Sequence, residues 1–213
     1  MLRSTTNHGW RVSHATLLDV PSIVSCTNDA YVVDAFFKKP EYHNRFTEKD
    51  VEELINTPQS IFVVVKDDAA AGAICGSLYL QWSAETVSSE LTKTVGKFSA
   101  VAVHPLYQKR GIGQLLVKSA ESHIIKLATE DVSKSNKSDL LEGVETEKVV
   151  ASISNARAEL TMGVINVREE LFPWYQSQGF TIEGQMPWDA ELSRIMADGY
   201  EHVSLIQMRK TLL

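Results

Sequence analysis

Apolar positions follow two different periods along the chain, and the change from one period to the other predicts the order of the central elements. Nearly continuous or β-branched apolar runs at residues 60–66, 73–82 and 94–103 predict three strands. The links between these runs are short, which is typical of an antiparallel meander. From Ile112 to about Glu130 apolar residues recur at helical spacing, so a helix is predicted to follow the third strand.

The segments before and after this centre predict shorter elements. Asp19 and Pro21 are typical of a helix start, because a proline in the first turn loses no hydrogen bond. Thr47-x-x-Asp50 resembles a capping box that opens a second helix, and residues 36–45 between the two helices are interpreted as a loop. The remaining predictions are strands at 10–16, 158–165, 181–184 and 202–209, and short helices from about Phe172 to Gly179 and at 189–198.

Residues 131–148 differ from the rest of the chain. They are rich in Ser, Lys, Asp and Glu, contain no aromatic side chain and are interrupted by Gly143. Because so little apolar surface cannot offset the entropy cost of ordering, the segment is predicted to be a solvated polar insertion. Either a plain loop or a regulatory segment fits this composition. No linker or internal repeat divides the sequence, and a single domain over residues 1–213 is expected.

Composition and charge exclude some classes of function. The chain is 44% hydrophobic and 23% charged, which is typical of a globular protein, and its net charge is −6. This acidic balance disfavours nucleic acid as a partner and is compatible with a cationic acceptor such as an amine. No apolar run approaches the length of a membrane span, and no secretory signal is recognisable. We therefore expect a cytoplasmic protein without a membrane partner.

The two cysteines, Cys26 and Cys75, are predicted to lie on a helix and a strand. Two reduced, packed thiols are favoured over a single disulfide. The pair does not form a metal-binding set, so no metal is expected.

The stretch at residues 97–116 combines a strand, a glycine turn and a helix. The strand is predicted to end at Pro105, which has no N–H, and the helix to begin at the Gly-Ile-Gly motif of residues 111–113. The first N–H groups of a helix have no partners within it and carry partial positive charge, so they bind anions. Glycines allow the backbone to approach a phosphate closely, and Lys109 and Arg110 add cationic side chains. The turn is therefore interpreted as a pyrophosphate-binding site.

Two common phosphate-binding motifs do not match this turn. A Walker loop requires an earlier glycine before Gly-Lys-Ser/Thr, and a dinucleotide fingerprint requires a third glycine where Leu116 stands. A nucleotide-binding module is disfavoured for that reason. Gln-x-x-Gly-x-Gly at residues 108–113, after a Val-His-Pro strand end, instead resembles the acetyl-CoA signature of the GNAT superfamily of acyl-CoA N-acyltransferases.

The segment LFPWYQSQGF resembles the second landmark of this superfamily, in which a Tyr four residues before Gly-Phe faces the cofactor thiol. Tyr175 occupies that position. A Tyr on a helix against a sheet is usually a core residue, but together with the motif a catalytic role is favoured. Arg168 stands where many members carry an Asn, so an Asn-type contact to pantetheine is not carried over. Arg168 and Glu169 are expected to pair with each other or with water.

The resemblance implies an α/β (α+β) fold with a GNAT-type mixed, mostly antiparallel central sheet and helices on both of its faces. It also implies acetyl-CoA as the cosubstrate. The implied cofactor-binding residues are Val101, Ala102, Val103, Gln108, Lys109, Arg110, Gly111, Ile112 and Gly113. In the family, the strand corresponding to 101–103 pairs with pantetheine through its backbone, and one of its N–H groups polarises the thioester carbonyl. Tyr175 would protonate the leaving thiolate.

The residue that deprotonates the amine is not identified. Many GNAT enzymes use a Glu on the strand before the turn, but residues 97–104 contain no carboxylate. We therefore expect deprotonation through ordered water or by a side chain from another element. His104 is interpreted as a solvated turn residue rather than a base, and Trp174 as a packing residue.

The acceptor pocket of the family is bordered by a loop that here contains Glu41, Tyr42, His43 and Arg45. Either substrate recognition or an ordinary surface role fits these residues.

Two classes of function remain open. The favoured class is an acetyl-CoA-dependent N-acetyltransferase that moves an acetyl group to a primary amine by direct transfer in a ternary complex, since no Cys is placed as a nucleophile. A small-molecule amine is favoured as substrate over a protein or peptide. The alternative is a non-catalytic acyl-CoA-binding regulator, against which the presence of Tyr175 argues. An oligomer is compatible with the sequence.

Overall fold

The computed structural model describes residues 9–88, 91–138, 157–186 and 190–213. The strands of this part of the chain are β1 (Trp10–His14), β2 (Ser60–Asp67), β3 (Ala73–Ser88), β4 (Leu91–Val103), β5 (Arg157–Ile165), β6 (Thr181–Gln185) and β7 (Leu205–Thr211). The α-helices are α1 (Val20–Tyr31), α2 (Glu48–Ile55), α3 (Ile112–Ser138), α4 (Leu171–Ser177) and α5 (Ala190–Ile195). No helix among the described residues is long and apolar enough to cross a membrane.

The strands form one sheet in the order β1-β2-β3-β4-β5-β7-β6. All neighbouring pairs are antiparallel except β4 and β5, which are parallel. This arrangement confirms the expected mixed, mostly antiparallel sheet, and β2 to β4 form the predicted meander. The β3–β4 hairpin is longer than predicted and pairs as far as Ser88 and Leu91. The polar connection includes Thr86, Val87 and Thr92, residue types that favour extended backbone even where one face is exposed.

Helices cover both faces of the sheet because side chains alternate along its strands. Leu78 and Leu80 of β3 belong to the hydrophobic cluster beneath α3, whereas Tyr79 belongs to the cluster beneath α1 and α2. On the α3 side, Ile112 and Leu116 are buried within the first turns of the helix. Each such Leu or Ile contributes about 1.5–3 kcal/mol through burial, so the start of α3 is held firmly against β3 and β4.

The polar segment at 131–148 is predicted to be a solvated insertion throughout, but its first part is helical. Helix α3 continues to Ser138, because buried residues in its first turns have already nucleated it and no proline or glycine interrupts the chain between Gly113 and Gly143. The remainder of the predicted insertion, residues 139–148, lies outside the described residues. The predicted loop at 36–45 contains parts of two short 3₁₀ turns, Val32–Phe37 and Pro40–Tyr42.

The structure confirms the predicted capping of α2 but not that of α1. The capping box of α2 is confirmed: the Asp50 N–H donates to Thr47 Oγ1 at 3.2 Å, and the Thr47 N–H donates to Asp50 Oδ2 at 2.7 Å. Asp19 does precede α1, but its carboxylate accepts from the Thr16 N–H and pairs with Lys66 at 2.5 Å instead of capping α1.

Cys26 and Cys75 are both free and buried, as predicted. Burial raises the pKa of the Cys26 thiol to about 12 and that of the Cys75 thiol to about 11. Both side chains therefore stay protonated at neutral pH and act as small apolar packing groups.

Candidate active site

Strands β4 and β5 pair over only part of their length. Their parallel register runs from Lys93 opposite Arg157 to Lys97 opposite Thr161, whereas the strands continue to Val103 and Ile165. The two strands share no further ladder pair, so a gap opens in the middle of the sheet on the side of their C-terminal ends.

An irregularity in β4 accompanies this gap. The pairing of β4 with β3 shifts between Ser77 and Tyr79, and Ala100 on β4 has a φ of 51°. A non-glycine residue in this left-handed region costs on the order of 1–3 kcal/mol, and the packing around a strand must supply that energy. Bulges of this kind bend a strand and change the direction of its main-chain groups.

The main-chain groups of the predicted cofactor strand point in alternate directions. The His104 N–H donates to the Cys75 carbonyl of β3 at 3.0 Å, so Ala102, two residues earlier, also directs its main-chain groups toward β3. Val101 and Val103 direct theirs into the gap. Consistent with this, the Gln108 side chain donates from Nε2 to the Val103 carbonyl at 3.2 Å. Ala102 therefore has no main-chain group to offer a ligand in the gap, contrary to its inclusion in the predicted set.

The turn that follows β4 presents unpaired donors. None of the backbone N–H groups of Gly111, Ile112 and Gly113 donates to an acceptor in the described part of the chain. Gly111 has a φ of 83° and Lys109 a φ of 60°, so the turn depends on left-handed conformations that only glycine adopts without strain. These three N–H groups lie at the N-terminus of the long helix α3, where partial positive charge accumulates.

The two glycines of the turn serve different purposes. A Cβ added at Gly111 would meet no atom within 4 Å, so the space beside it is open. A Cβ added at Gly113 would lie 3.2 Å from the Trp174 ring, so this glycine allows Trp174 to pack against the start of α3. Trp174 is thus a packing residue, as predicted. The guanidinium of Arg110 lies over the Tyr107 ring, 5.5 Å from its centroid.

A cavity of about 1050 Å³ occupies the gap. The turn and β4 form one side of it, β5 and α4 form another, and α1 with the 3₁₀ turns after it closes the far end. The predicted site residues that line the cavity are Val101, Val103, Gln108, Lys109, Gly111, Ile112, Gly113 and Tyr175. Two residues of the predicted set, Ala102 and Arg110, do not line it.

Tyr175 combines the two roles that the sequence left open. Its ring is only 6% exposed and belongs to the core cluster with Phe98 and Phe180, yet the residue lines the cavity. Burial raises the pKa of its phenol well above the ordinary value near 10, and the neighbouring Tyr31 raises it further. The hydroxyl makes no hydrogen bond to any described residue. Tyr175 is therefore a neutral phenol with a free donor at the cavity.

An ion-pair cluster around the buried Asp34 lines the far end of the cavity, and sequence reasoning missed it. Arg168 donates to the buried carboxylate of Asp34 and, at 2.6 Å, to Glu170. The expected pairing of Arg168 with Glu169 is therefore wrong. Hydrogen bonding to Arg168 lowers the pKa of Glu170, so this carboxylate is a weak base. No short-range signal could have joined Asp34 to a residue 134 positions away.

Two further cations lie near this cluster. Lys38 is only 6% exposed, and its Nζ lies 5.7 Å from the centroid of the Tyr31 ring. Arg45 lies over the same ring, with Cζ at 5.8 Å. Burial lowers the pKa of Lys38, the nearby Asp34 opposes that shift, and the charge of Arg45 adds to it. Both cations line the cavity.

The predicted acceptor loop divides into two parts. Tyr42 and Arg45 line the cavity, whereas Glu41 and His43 do not. His43 instead places Nε2 3.3 Å from the Lys38 carbonyl, where it supports the turn that carries Lys38.

Residues 27–138, more than half of the chain, match the sequence profile of the Acetyltransferase (GNAT) family. The chain belongs to this family. A search of curated protein sequences found no significant match.

Solved GNAT structures share the fold. A GCN5-related N-acetyltransferase from Kribbella flavida superimposes with a TM-score of 0.54 and 18% identity, over 95% of this chain and 97% of the other. A phosphinothricin acetyltransferase from Sinorhizobium meliloti, in complex with acetyl-CoA, gives 0.58 and 15%, over 95% and 88%. The ribosomal-protein-S18-alanine N-acetyltransferase from Escherichia coli gives 0.56 and 14%, over 95% and 94%. At these identities the GNAT fold is what the structures have in common.

Proposed function

We propose that this GNAT protein is an acetyl-CoA-dependent N-acetyltransferase that moves an acetyl group directly to a primary amine of a small molecule. The observation that carries this proposal is the meeting of three features in one cavity. These are the unpaired N–H groups at residues 111–113, the exposed strand edge at Val101 and Val103, and the free hydroxyl of Tyr175. The Sinorhizobium meliloti relative, which holds acetyl-CoA on the same fold, supports the choice of cosubstrate.

The turn would hold the diphosphate of acetyl-CoA. The N–H groups of Gly111, Ile112 and Gly113 point from a helix N-terminus, and Lys109 adds a positive charge at the cavity wall. The pantetheine arm would then extend along β4, where Val101 and Val103 offer main-chain donors and acceptors. Such an arm completes the strand edge as a peptide does in β-augmentation. Of the residues first considered for the cofactor, Arg110 and Ala102 lie outside this arrangement.

Acetyl-CoA supplies an activated acetyl thioester. A main-chain N–H of β4 within hydrogen-bond distance of its carbonyl oxygen would stabilise the negative charge that develops there. Holding the amine and the thioester in one cavity supplies much of the remaining acceleration, because it turns a bimolecular reaction into an intramolecular one.

Tyr175 would donate a hydrogen bond to the leaving sulfur. A thiol of ordinary pKa near 8.5 is a stronger acid than the buried phenol, so complete proton transfer from Tyr175 is unfavourable at first. A hydrogen bond to the sulfur lowers the barrier without that transfer, and the raised pKa keeps Tyr175 in its donating form at physiological pH.

The amine would lose its proton to water rather than to a dedicated carboxylate. The two carboxylates that line the described cavity, Asp34 and Glu170, are both paired with Arg168. Using either as a base would break an ion pair, at a cost greatest for the buried Asp34. A chain of ordered water from the acceptor end is the alternative that leaves these pairs intact.

A small acceptor fits the far end of the cavity better than a protein segment does. Asp34 and Lys38 there are nearly fully buried, so an acceptor that reaches them must be enclosed by Tyr31 and the 3₁₀ turns. The Escherichia coli relative, whose name gives a protein substrate, indicates that the fold alone does not decide between the two kinds of acceptor.

The experiment that tests this function measures thiol release from acetyl-CoA in the presence of a panel of primary amines and short peptides. The expected result is turnover with one class of small amines above the rate of thioester hydrolysis. Turnover with peptides alone would replace the small-molecule assignment. Tight binding of acetyl-CoA by calorimetry without turnover on any amine or peptide would contradict an enzyme and favour an acyl-CoA-binding regulator.

A further inference from the structure

Lys38 is a buried cation without an anionic hydrogen-bond partner. The residue is only 6% exposed, yet its ammonium donates to no acceptor in the ranges that the structure describes. Its contacts are the faces of two aromatic rings, Tyr31 and Phe37, each 5.7 Å away. Buried charges in proteins are normally paired, because an unpaired one loses its hydration without compensation. An ammonium that lines a cavity in this way is set up to meet an anion from the cavity.

Arg45 extends this cationic surface to the rim. It is exposed, lies over the same Tyr31 ring as Lys38, and forms no ion pair with a described residue. Its guanidinium carries donors in a fork geometry that matches a carboxylate. Lys38 and Arg45 together thus present one buried and one exposed cation around a single aromatic ring.

The neighbouring carboxylates do not neutralise this pair. Asp34 acts on Lys38 through space, but its hydrogen bond goes to Arg168, which also holds Glu170. Three cations (Lys38, Arg45 and Arg168) thus stand beside two carboxylates, and Arg194 also lines the cavity, so cations outnumber carboxylates among the described residues that line it. An anionic group on the acceptor would offset part of that excess and oppose the lowering of the pKa of Lys38 by burial.

The position of the pair indicates which molecule carries the anion. In the proposed function the phosphates of coenzyme A bind at the turn at 111–113, whereas Lys38 lies in the segment that follows α1 and forms another part of the cavity wall, so we assign Lys38 to the acceptor. Lys38 and Arg45 both lie against the Tyr31 ring, and Tyr31 lines the same cavity as Tyr175. One small molecule can therefore place an amine near Tyr175 and an anionic group near Lys38.

We propose that Lys38 and Arg45 form a carboxylate-binding site, and that the acceptor is a small amine bearing a carboxylate, such as an α-amino acid. This inference rests on the proposed N-acetyltransferase function. A peptide N-terminus would not satisfy the site in the same way, since the carboxyl group of its first residue is an uncharged amide.

The test compares pairs of ligands in which a carboxylate is replaced by a carboxamide, and the N-acetylated pairs have no free amine whose pKa could change with that replacement. The substrate pairs are L-α-amino acids and their carboxamides, measured by thiol release. The product pairs are N-acetyl-L-amino acids and their carboxamides, measured by calorimetry on the protein loaded with coenzyme A. A charge-assisted contact predicts that the acids bind, and react in kcat/KM, at least about tenfold better than the amides.

Variants then assign the preference to Lys38. Lys38→Met retains an apolar chain and is expected to remove the preference for the acid, whereas Lys38→Arg retains part of it. Lys49→Met is the matched control, because Lys49 is exposed on α2 and pairs only weakly with Glu53 at 3.7 Å. Arg45→Gln is expected to have a smaller, salt-dependent effect, since Arg45 is exposed. The affinity for coenzyme A is measured for every variant as a check of its fold. It is expected to be unchanged in Lys49→Met.

Each outcome separates the two proposals. Preferential binding of the acid without turnover would support the carboxylate site and contradict the enzyme. Binding of the N-acetyl acids that is no tighter than that of their carboxamides would overturn the carboxylate site, and turnover of either substrate would leave the enzyme standing. Failure of every acid to bind or react while coenzyme A still binds would also overturn the site. Because the wild-type comparison alone tests the charge preference, an unfolded Lys38→Met variant does not prevent a decision.

Discussion

Replacement of Tyr175 by Phe isolates the hydroxyl that the proposed mechanism uses. The ring lies in the core cluster and packs against Trp174 with centroids 4.6 Å apart, and Phe preserves these contacts. Because the hydroxyl forms no hydrogen bond to a described residue, its removal leaves no protein group unpaired. We therefore expect the free energy of unfolding to change by less than about 0.5 kcal/mol, within the range of substitutions that remove no contact.

The same change is expected to lower turnover much more than it lowers stability. A positioned proton donor typically contributes about 10²–10⁴-fold, and donation without full transfer places Tyr175 near the lower limit, about 10²-fold in kcat. Coenzyme A affinity should change less than about threefold, because the turn and strand that would bind most of the molecule are untouched.

The assay is thiol release at saturating acetyl-CoA across pH, with calorimetric titration of coenzyme A on the same preparations. Since burial raises the pKa of Tyr175, its donating form persists through pH 9, and the effect of Phe should not vanish at the alkaline end of that range. Tyr200→Phe is the control, because Tyr200 lies in a separate hydrophobic cluster with Phe37 and Met196. Unchanged turnover of Tyr175→Phe at every pH would refute the donor role.

Three further substitutions test the turn, the ion-pair cluster and the packing of the gap. Gly111→Val should weaken coenzyme A binding at least about tenfold by calorimetry, because φ is 83° and the new side chain enters the open space of the turn; an unchanged affinity would contradict the phosphate site. Arg168→Met leaves Asp34 buried and unpaired and should cost about 3–5 kcal/mol in denaturant unfolding, with rescue by the added Asp34→Asn change; a cost under about 1 kcal/mol would contradict a buried ion pair. Gly96→Ala should cost about 1–3 kcal/mol, because its Cβ would lie 2.7 Å from Ile124 and Leu160; unchanged stability would mean that α3 can move away from β4.

The pH dependence of stability has a predictable sign in the cluster around Arg168. The pKa of Glu170 is lower in the folded protein than in the unfolded chain, so its pairing stabilises above the ordinary Glu value and is lost as pH falls through the folded value. The side chain is 63% exposed, so the effect is small and screened by salt.

The parts of the site that local sequence could predict are those built from neighbouring residues. The turn at 108–113 follows from glycines next to a strand end and a helical period, which are features of short-range backbone geometry. Tyr175 was indicated by the resemblance of its segment to the second GNAT landmark. A linear pattern does not indicate which neighbouring strand a residue pairs with. The sequence therefore could not separate Ala102, whose main-chain groups point toward β3, from Val101 and Val103, whose main-chain groups point into the gap.

The acceptor end of the cavity could not be predicted because its parts come from distant segments. Asp34 meets Arg168 only after the sheet has brought α1 and α4 to the same gap, and Lys38 reads as an ordinary loop lysine until its burial is known. Helix α3 was predicted to end too early for a different reason. A polar composition past Glu130 does not end a helix that buried residues have already nucleated, because adding a residue to a helix costs much less than starting one and no proline or glycine stands before Gly143.

The most direct test of the whole account is the calorimetric comparison of acetyl-CoA with S-acetylpantetheine, which carries the same thioester but lacks the diphosphate and nucleotide. If the free N–H groups at residues 111–113 bind the diphosphate, acetyl-CoA should bind at least about tenfold more tightly, and Gly111→Val should remove most of that difference. Equal affinity for the two ligands, or a difference that survives in Gly111→Val, would contradict the assignment of the turn.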